Sequence, residues 1–382
     1  MKSLFVIRSG GAVNWALRVA AALLGVCLVL WIPTNASNGL MGSCTEALTL
    51  MSAAMALNLL LGYTGLISIG HSAFFGVGAY ATGVLVSRYG WNPFWTMPVA
   101  FVVAFAVGAL VSLPASRIKG VYLALVTLAL GLVFPQLVKW PKLVWLTGGP
   151  KGLDKTGFRF SKTNPTYEIF GWNPWGNLRG ENVKPFLFWI AFVIAVVVYL
   201  VCRGVVKSRA GRALVAIRDN ETAAAVMGVN VVATKALVFG LSAALCALPG
   251  CLSAIRTGNV TPDSANVQVV GAITFLIVMV VGGAGSLWGP IVGAALFVFV
   301  TDKTGDWSDP AAIPGWIRPL LDWAHVPPGT GLFALLLIVL MFVAPFGLVG
   351  LIRRWAARIV TVVPAPVGRG SLEATAPAPA EA

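Results

Sequence analysis

Charged residues are scarce in this chain of 382 residues. Asp, Glu, Lys and Arg together make up 10% of it, whereas hydrophobic residues make up 58%. A soluble globular domain has roughly 25% charged residues, so the composition excludes that class. The sequence predicts an all-α integral membrane protein, in which long apolar helices cross the bilayer.

Signatures of enzymes and metal sites are missing as well. No G-x-x-x-x-G-K-[ST] phosphate loop occurs, so the chain has no ATP site of that type. His71 and His325 are the only histidines, too few for a metal cluster, and the five cysteines contain no C-x-x-C pair. The cysteines are interpreted as small hydrophobic residues. With no evident nucleophile and base in the apolar runs, transport is the default prediction for such a bundle.

The formal net charge of +14 does not indicate a nucleic-acid partner. Lys and Arg lie in loops between apolar runs, a pattern typical of topology signals rather than of a phosphate-binding face. The expected surroundings are therefore membrane lipid and proteins, with no nucleic acid.

Apolar runs predict about ten transmembrane helices in one membrane domain, residues 1–361. Their approximate bounds are 12–32, 40–61, 62–86, 94–113, 121–144, 185–202, 235–255, 267–281, 287–301 and 332–351. A cleaved signal peptide is an alternative for the first run, but its length favours a retained helix. Residues 362–382 are rich in Pro and Ala and are predicted to be a disordered cytoplasmic tail.

Basic clusters set the predicted orientation, with the N-terminus in the cytoplasm. The basic loop 203–234 is then cytoplasmic, and the acidic loop 302–330 is periplasmic. The loop 147–184 is also placed in the periplasm although it carries six basic residues, because long loops constrain orientation less than short ones.

Loop 203–234 is predicted to form two short helices. The first covers Gly211 to Arg218, and Asp219 or Asn220 suits the N-cap of the second because a short side chain can accept from free amide groups. Glu221 would lie in the first turn of that second helix. Three alanines at 223–225 continue it, and Gly228 suits its end. A contact with another protein through Ala224 is one interpretation, and a solvated connector is the other.

Five stretches resemble the M-type permease of bacterial branched-chain amino acid ABC importers. They are GYTGLISIGHSAFFGVGAYATGVL (62–85), GVYLALVTLALG (120–131), TGGPKGL (147–153), GRALVAIRDNETAAAVMGVNVVATKALVFGLSAALCALPGCLSA (211–254) and VVGGAGSLWGPIVGAAL (280–296). The likeness covers about residues 40–351. The segment at about 158–184 matches nothing that can be assigned.

The resemblance implies a permease subunit in the bacterial inner membrane, serving an ATP-driven importer of branched-chain or related hydrophobic amino acids. It implies an H-type partner permease, two cytoplasmic ATPase subunits that bind ATP and Mg, and a periplasmic substrate-binding protein, with no cofactor in this chain. A urea or short-chain amide permease of the same broader family is the principal alternative. A secondary carrier and a passive channel are the others.

The resemblance also implies that residues 219–228 are the segment that couples the permease to the ATPase, although Thr222 interrupts the expected E-A-A order. The predicted coupling residues are Arg218, Asp219, Glu221, Ala224, Ala225 and Gly228.

Polar residues in the apolar runs are candidates for the translocation pathway: Glu46, Asn58, Tyr63, Thr64, Ser68, His71, Thr127 and Gln136. An interfacial position is the alternative for Glu46 and Gln136, and a backbone hydrogen bond is the alternative for His71. The glycines at 62, 65, 70, 76 and 78 predict either close helix packing or a broken helix that could aim backbone groups at a zwitterionic substrate.

Overall fold

The computed structural model describes residues 5–8, 37–115, 120–156, 183–264, 266–306 and 347–363. Twelve α-helices lie in this part of the chain: α1 (Asn38–Thr64), α2 (His71–Tyr89), α3 (Pro93–Ala115), α4 (Val121–Lys139), α5 (Val144–Thr147), α6 (Val183–Lys207), α7 (Arg209–Asp219), α8 (Glu221–Val226), α9 (Val231–Thr257), α10 (Val269–Gly282), α11 (Gly289–Asp306) and α12 (Gly347–Ile359). Short 3-10 turns flank α5 at Pro141–Leu143 and Gly149–Lys151.

Five of these helices are long and apolar enough to cross a membrane, namely α1, α3, α4, α6 and α9. The shorter apolar helices α10 and α11 follow, joined by a tight turn at residues 283–288. The all-α membrane fold is therefore confirmed. The predicted first span lies outside the described residues, as does the predicted tenth span up to residue 346.

The predicted span 62–86 is wrong at its start. Helix α1 continues to Thr64 and ends at Gly65, whose φ of +73° lets its N–H donate to carbonyls of the last turn. An irregular stretch, 65–70, follows, and α2 begins only at His71. Gly65 and Gly70 thus flank an irregular stretch between two helices, and a role of this stretch toward a substrate stays a prediction.

The predicted span 121–144 is too long, because α4 ends at Lys139. Pro141 explains the end: the residue before a proline is disfavoured in helical conformation, and Trp140 is extended with ψ of 130°. Helix α9, by contrast, is continuous through Pro249.

Helix α9 is the central element of unit 36–350 and packs along α1, α2 and α3. Its contact with α2 is close because Gly78 of α2 faces the backbone of Ala247, and Gly250 of α9 faces the carbonyl of Phe75. The thiol of Cys246 donates to the His71 carbonyl at 3.5 Å across this contact. Close packing was predicted for Gly78, and the structure confirms it.

Two small sheets complete the described structure. Strand β2 (Leu153–Asp154) pairs antiparallel with β3 (Asn259–Val260). In a separate compact unit, formed by residues 1–35 and 351–382, β1 (Phe5–Arg8) runs parallel to β4 (Val360–Val363). The sequence did not predict this pairing, and the expected tail boundary at 362 falls inside β4.

Candidate functional site

Helix α7 is the first helix that lies wholly within the predicted coupling loop, residues 203–234, because residues 203–207 still belong to α6. Ser208 is its N-cap, and the hydroxyl oxygen accepts from the Gly211 N–H. Leu214 and Ile217, one turn apart, are buried against the bundle. The amphipathic pattern of the sequence thus holds α7 on the protein surface with one apolar face inward.

Helix α8 has the local structure that the sequence predicts. The Asn220 side chain caps it by accepting from the Ala223 N–H at 3.0 Å. Glu221 lies in its first turn, where the helix dipole favours a negative charge. The helix ends before Gly228, which has φ of +86°. Both short helices and the glycine stop are confirmed as structure, while their role in coupling stays a prediction.

Ala224 does not present its side chain outward, contrary to the expectation. It is only 4% exposed, because α8 lies on α7 and α9 and turns this residue toward them. The outward face is formed by the residues on the other side of the short helix and just after it. These are Thr222, Ala223, Ala225, Val226 and Met227; Val226 is 82% and Met227 86% exposed.

Arg218 fastens the end of α7 to the end of α1. Its Nη1 donates to the Gly62 carbonyl at 3.0 Å, while Nε and Nη2 donate to the neighbouring Asp219 carboxylate at 3.3 Å. The side chain also covers Gly65, and Gly285 of the α10–α11 turn lies beside it. Arg218 therefore connects the coupling segment to two other elements of the bundle.

Lys235, in the second turn of α9, makes an ion pair with Glu221. Its Nζ lies 2.8 Å from Oε1 of the carboxylate. The Lys235 side chain is only 4% exposed and that of Glu221 is 28% exposed. This pair fastens α8 to α9.

Asn58 of α1 clamps the α10–α11 turn. Its Nδ2 donates to the Ser286 carbonyl at 2.9 Å, and its Oδ1 accepts from the Gly285 N–H at 2.8 Å. The side chain is buried, and both ends of its amide are occupied by backbone groups. Asn58 thus holds this turn at one end of the bundle, and its place in the translocation pathway stays a prediction.

A buried polar network surrounds the start of α2. Ser68 Oγ lies 2.9 Å from His71 Nδ1, and His71 Nε2 lies 2.8 Å from Ser242 Oγ of α9. The Ser242 hydroxyl donates to the Ala56 carbonyl of α1 at 2.6 Å. Since this hydroxyl has one hydrogen, its oxygen accepts from Nε2–H, and Nδ1 accepts from Ser68. We call Ser68, His71 and Ser242 the histidine network.

Two threonines that flank the irregular stretch 65–70 in space or in sequence, Thr127 and Thr64, also make hydrogen bonds to the backbone. The Thr127 hydroxyl oxygen accepts from the Ile69 N–H at 3.1 Å and donates to the Ala124 carbonyl at 3.0 Å. The Thr64 hydroxyl donates to the Leu59 carbonyl at 3.2 Å. The Thr127 bond holds Ile69 in the irregular stretch 65–70, whereas the Thr64 bond stays within α1. The Ser72 hydroxyl, also buried there, has no hydrogen-bond partner among the described residues.

The remaining pathway candidates lie apart from the histidine network. Glu46 lies near the opposite end of α1, 3.6 Å from Arg256 at the end of α9, and is partly exposed. Gln136 is exposed on α4, and Tyr63 is half-buried. The structure therefore brings Ser68, His71 and Thr127 together around one break and does not add Glu46 or Gln136 to them.

Sequence reasoning missed Ser242, Lys235 and Arg256. The partner of Ser242 lies 171 residues away, that of Lys235 lies 14 residues away and that of Arg256 lies 210 residues away. No local sequence pattern could therefore predict the contacts of Ser242 or Arg256. A signal existed for Lys235 alone: it is a lysine at the edge of an apolar run, which needs a partner when it is buried.

Comparison with known proteins gives one family and several relatives. Residues 39–345 match the family described as the permease component of branched-chain amino acid transport systems. The high-affinity branched-chain amino acid transport system permease protein LivM of Escherichia coli K12 is 31% identical over 312 residues, 78% of this chain and 71% of its own length. The probable branched-chain amino acid transport permease LivM of Methanocaldococcus jannaschii is 22% identical, covering 65% of this chain and 76% of its own.

A ribose import permease, RbsC of E. coli K12, is 26% identical over 53% of this chain and 63% of its own length. No solved structure matches.

Proposed function

Because the chain belongs to the family of permease components of branched-chain amino acid transport systems, we propose that its coupling segment docks on a cytoplasmic ATPase through the outward face of α8. The chain is a multi-pass membrane permease of an ABC transporter for branched-chain amino acids. The family assignment supports this function, and the geometry supports the place of docking.

The observation that carries the docking proposal is the exposure of Val226 and Met227 at the end of a helix whose other side is fastened. Both side chains are more than four-fifths exposed, whereas Ala224 is buried and Glu221 is paired with Lys235. Two neighbouring apolar side chains that are exposed in a basic loop are typical of a surface that another protein covers. Met also adapts its shape to an irregular partner surface.

The remaining assembly is proposed from the family. An H-type permease would pair with this chain in the inner membrane, two ATPase subunits would bind ATP and Mg, and a periplasmic binding protein would deliver the amino acid. Because the chain has no phosphate loop, energy would reach it through a contact such as the one at α8.

Met227→Arg tests the docking site. A charged, longer side chain within the proposed contact should weaken ATPase binding by about tenfold, which corresponds to 1.4 kcal/mol. Leucine uptake at low external concentration should fall with it. The measurements are co-purification of the ATPase with the tagged permease and uptake in a strain that lacks the native chain.

Met227→Leu is the matched control and should keep both ATPase binding and uptake, since it preserves an apolar side chain of similar volume. Full uptake and full ATPase association in Met227→Arg would contradict docking at this site and favour the alternative that the segment is only a solvated connector. Unchanged leucine uptake and lost urea uptake in the strain without the chain would favour the urea or amide permease instead.

A further inference from the structure

A partly buried ion pair joins the proposed docking helix to the central helix of the bundle. Lys235 enters α9 with its side chain 4% exposed, and its Nζ lies 2.8 Å from the Glu221 carboxylate of α8. The connection 227–230 between the two helices is short, and the Asn230 side chain caps α9 by accepting from the Ala233 N–H. The covalent link and the ion pair thus hold the same two helices.

We propose that the Lys235–Glu221 pair is the joint through which movement of the docked α8 is passed to α9, with Lys235 as the positioning residue. This inference rests on the proposed function, because the movement that it concerns begins only after an ATPase has docked.

The orientation of helix α8 depends on the helices that it packs against. It has six residues, and a helix of that length is not stable without packing. Its direction is therefore given by α7 and α9. A lysine ammonium buried in the bundle is strongly unfavourable unless it stays paired. The two side chains should therefore stay within ion-pair distance while the helices move.

Helix α9 leads from this joint to the histidine network. Ser242 is seven residues after Lys235, about 10 Å along the helix axis, and its hydroxyl contacts both His71 and the Ala56 carbonyl. Farther along, Gly250 lies against the backbone of Phe75. A shift of α9 therefore acts on the start of α2 and on the break at 65–70, in the interior of the protein.

The experiment separates docking from transmission. Lys235→Met and Glu221→Gln are made in the complete transporter, purified through a tag on this chain and placed in proteoliposomes with the binding protein. Three quantities are measured: ATPase subunits bound per permease, the rate of ATP hydrolysis, and leucine imported per ATP hydrolysed. In both variants the ATPase should stay bound and active, while leucine imported per ATP falls by about tenfold.

Two further variants keep the result interpretable. The exchange Glu221→Lys with Lys235→Glu rebuilds the pair and should recover about half or more of the lost coupling, as expected for two residues that interact directly. Lys139→Met breaks the more exposed Lys139–Asp263 pair, 2.6 Å long and far from the coupling segment. Such a pair contributes little, so leucine per ATP should change by no more than about twofold.

Three outcomes would overturn the inference. The first is a normal ratio of leucine to ATP in Glu221→Gln, whose shape is unchanged. The second is loss of ATPase binding in proportion to transport, because the pair would then only shape the docking surface. The third is an exchange variant no better than the single ones. A different observation would contradict the proposed function itself, namely that the unaltered transporter shows no ATP-dependent leucine import.

Discussion

At the scale of single residues, the polar side chains inside this membrane protein hold the backbone where it is irregular. His71 and Ser242 show this clearly, because their bonds reach the carbonyl of Ala56 and the hydroxyl of Ser68. Buried polar groups in a medium that cannot replace their hydrogen bonds must find partners within the protein. The network therefore stabilises the break at 65–70 rather than an ordinary helix interior.

Ser242→Ala should lower the free energy of unfolding by about 1–3 kcal/mol, since it leaves the buried Nε2–H of His71 without an acceptor. The measurement is thermal unfolding of the detergent-solubilised chain. Ser52→Ala is the matched control: Ser52 is equally buried, but its hydroxyl donates to the Leu48 carbonyl of its own helix. Because helix backbone bonds already serve that carbonyl, the control should change much less. Equal losses in the two variants would contradict the role given to Ser242.

At the scale of elements, α9 is central because small residues let its neighbours approach closely. Gly250 has the backbone of Phe75 against it, and a Cβ at that position would overlap the carbonyl. Backbone atoms yield far less than side chains. Glycine is thus required at this crossing of α9 and α2 in the way usual for helices that pack in membranes.

Gly250→Ala should destabilise the protein by about 1–3 kcal/mol through overpacking. Gly204→Ala in α6 makes the same chemical change where nothing lies within 4 Å. There alanine should be neutral or stabilise by about 0.5–1 kcal/mol, because it favours helix over glycine. Melting temperature and the fraction of monodisperse protein in size-exclusion chromatography measure both variants. A stable Gly250→Ala protein would show that the two helices have room to separate.

At the scale of the whole bundle, 36–350, two ends can be distinguished. One gathers Arg218, Gly62 and the Gly285 turn. The other gathers the Glu46–Arg256 pair and the β2–β3 sheet. The basic loops predict that the first end faces the cytoplasm and the second the periplasm.

Single cysteines in a cysteine-free background test this orientation. Arg212→Cys, at an exposed site of α7, should react with a membrane-impermeant maleimide only after the cells are opened. Asn259→Cys, at the exposed edge of β3, should react in intact spheroplasts. The opposite pattern would reverse the topology and remove the coupling segment from the cytoplasm.

Features with a local cause could be predicted from the sequence, and those with a distant partner could not. The cap at Asn220, the stop at Gly228 and the apolar face of α7 depend on neighbouring residues, and the structure confirms them. The inward turn of Ala224 depends on how α8 packs against two other helices. The clamp by Asn58 depends on residues 227 and 228 positions away, which no periodicity within one helix reveals.

The Asn58 clamp has a consequence for how the protein is made. During translation, Asn58 leaves the ribosome long before Gly285 and Ser286, the residues that will occupy its amide. An amide group placed among apolar helices without partners is unfavourable by several kcal/mol in order of magnitude. The end of α1 therefore reaches its final place only after the α10–α11 turn has been synthesised. We therefore expect products truncated before residue 285 to lack the Asn58 clamp at the end where the ATPase would dock.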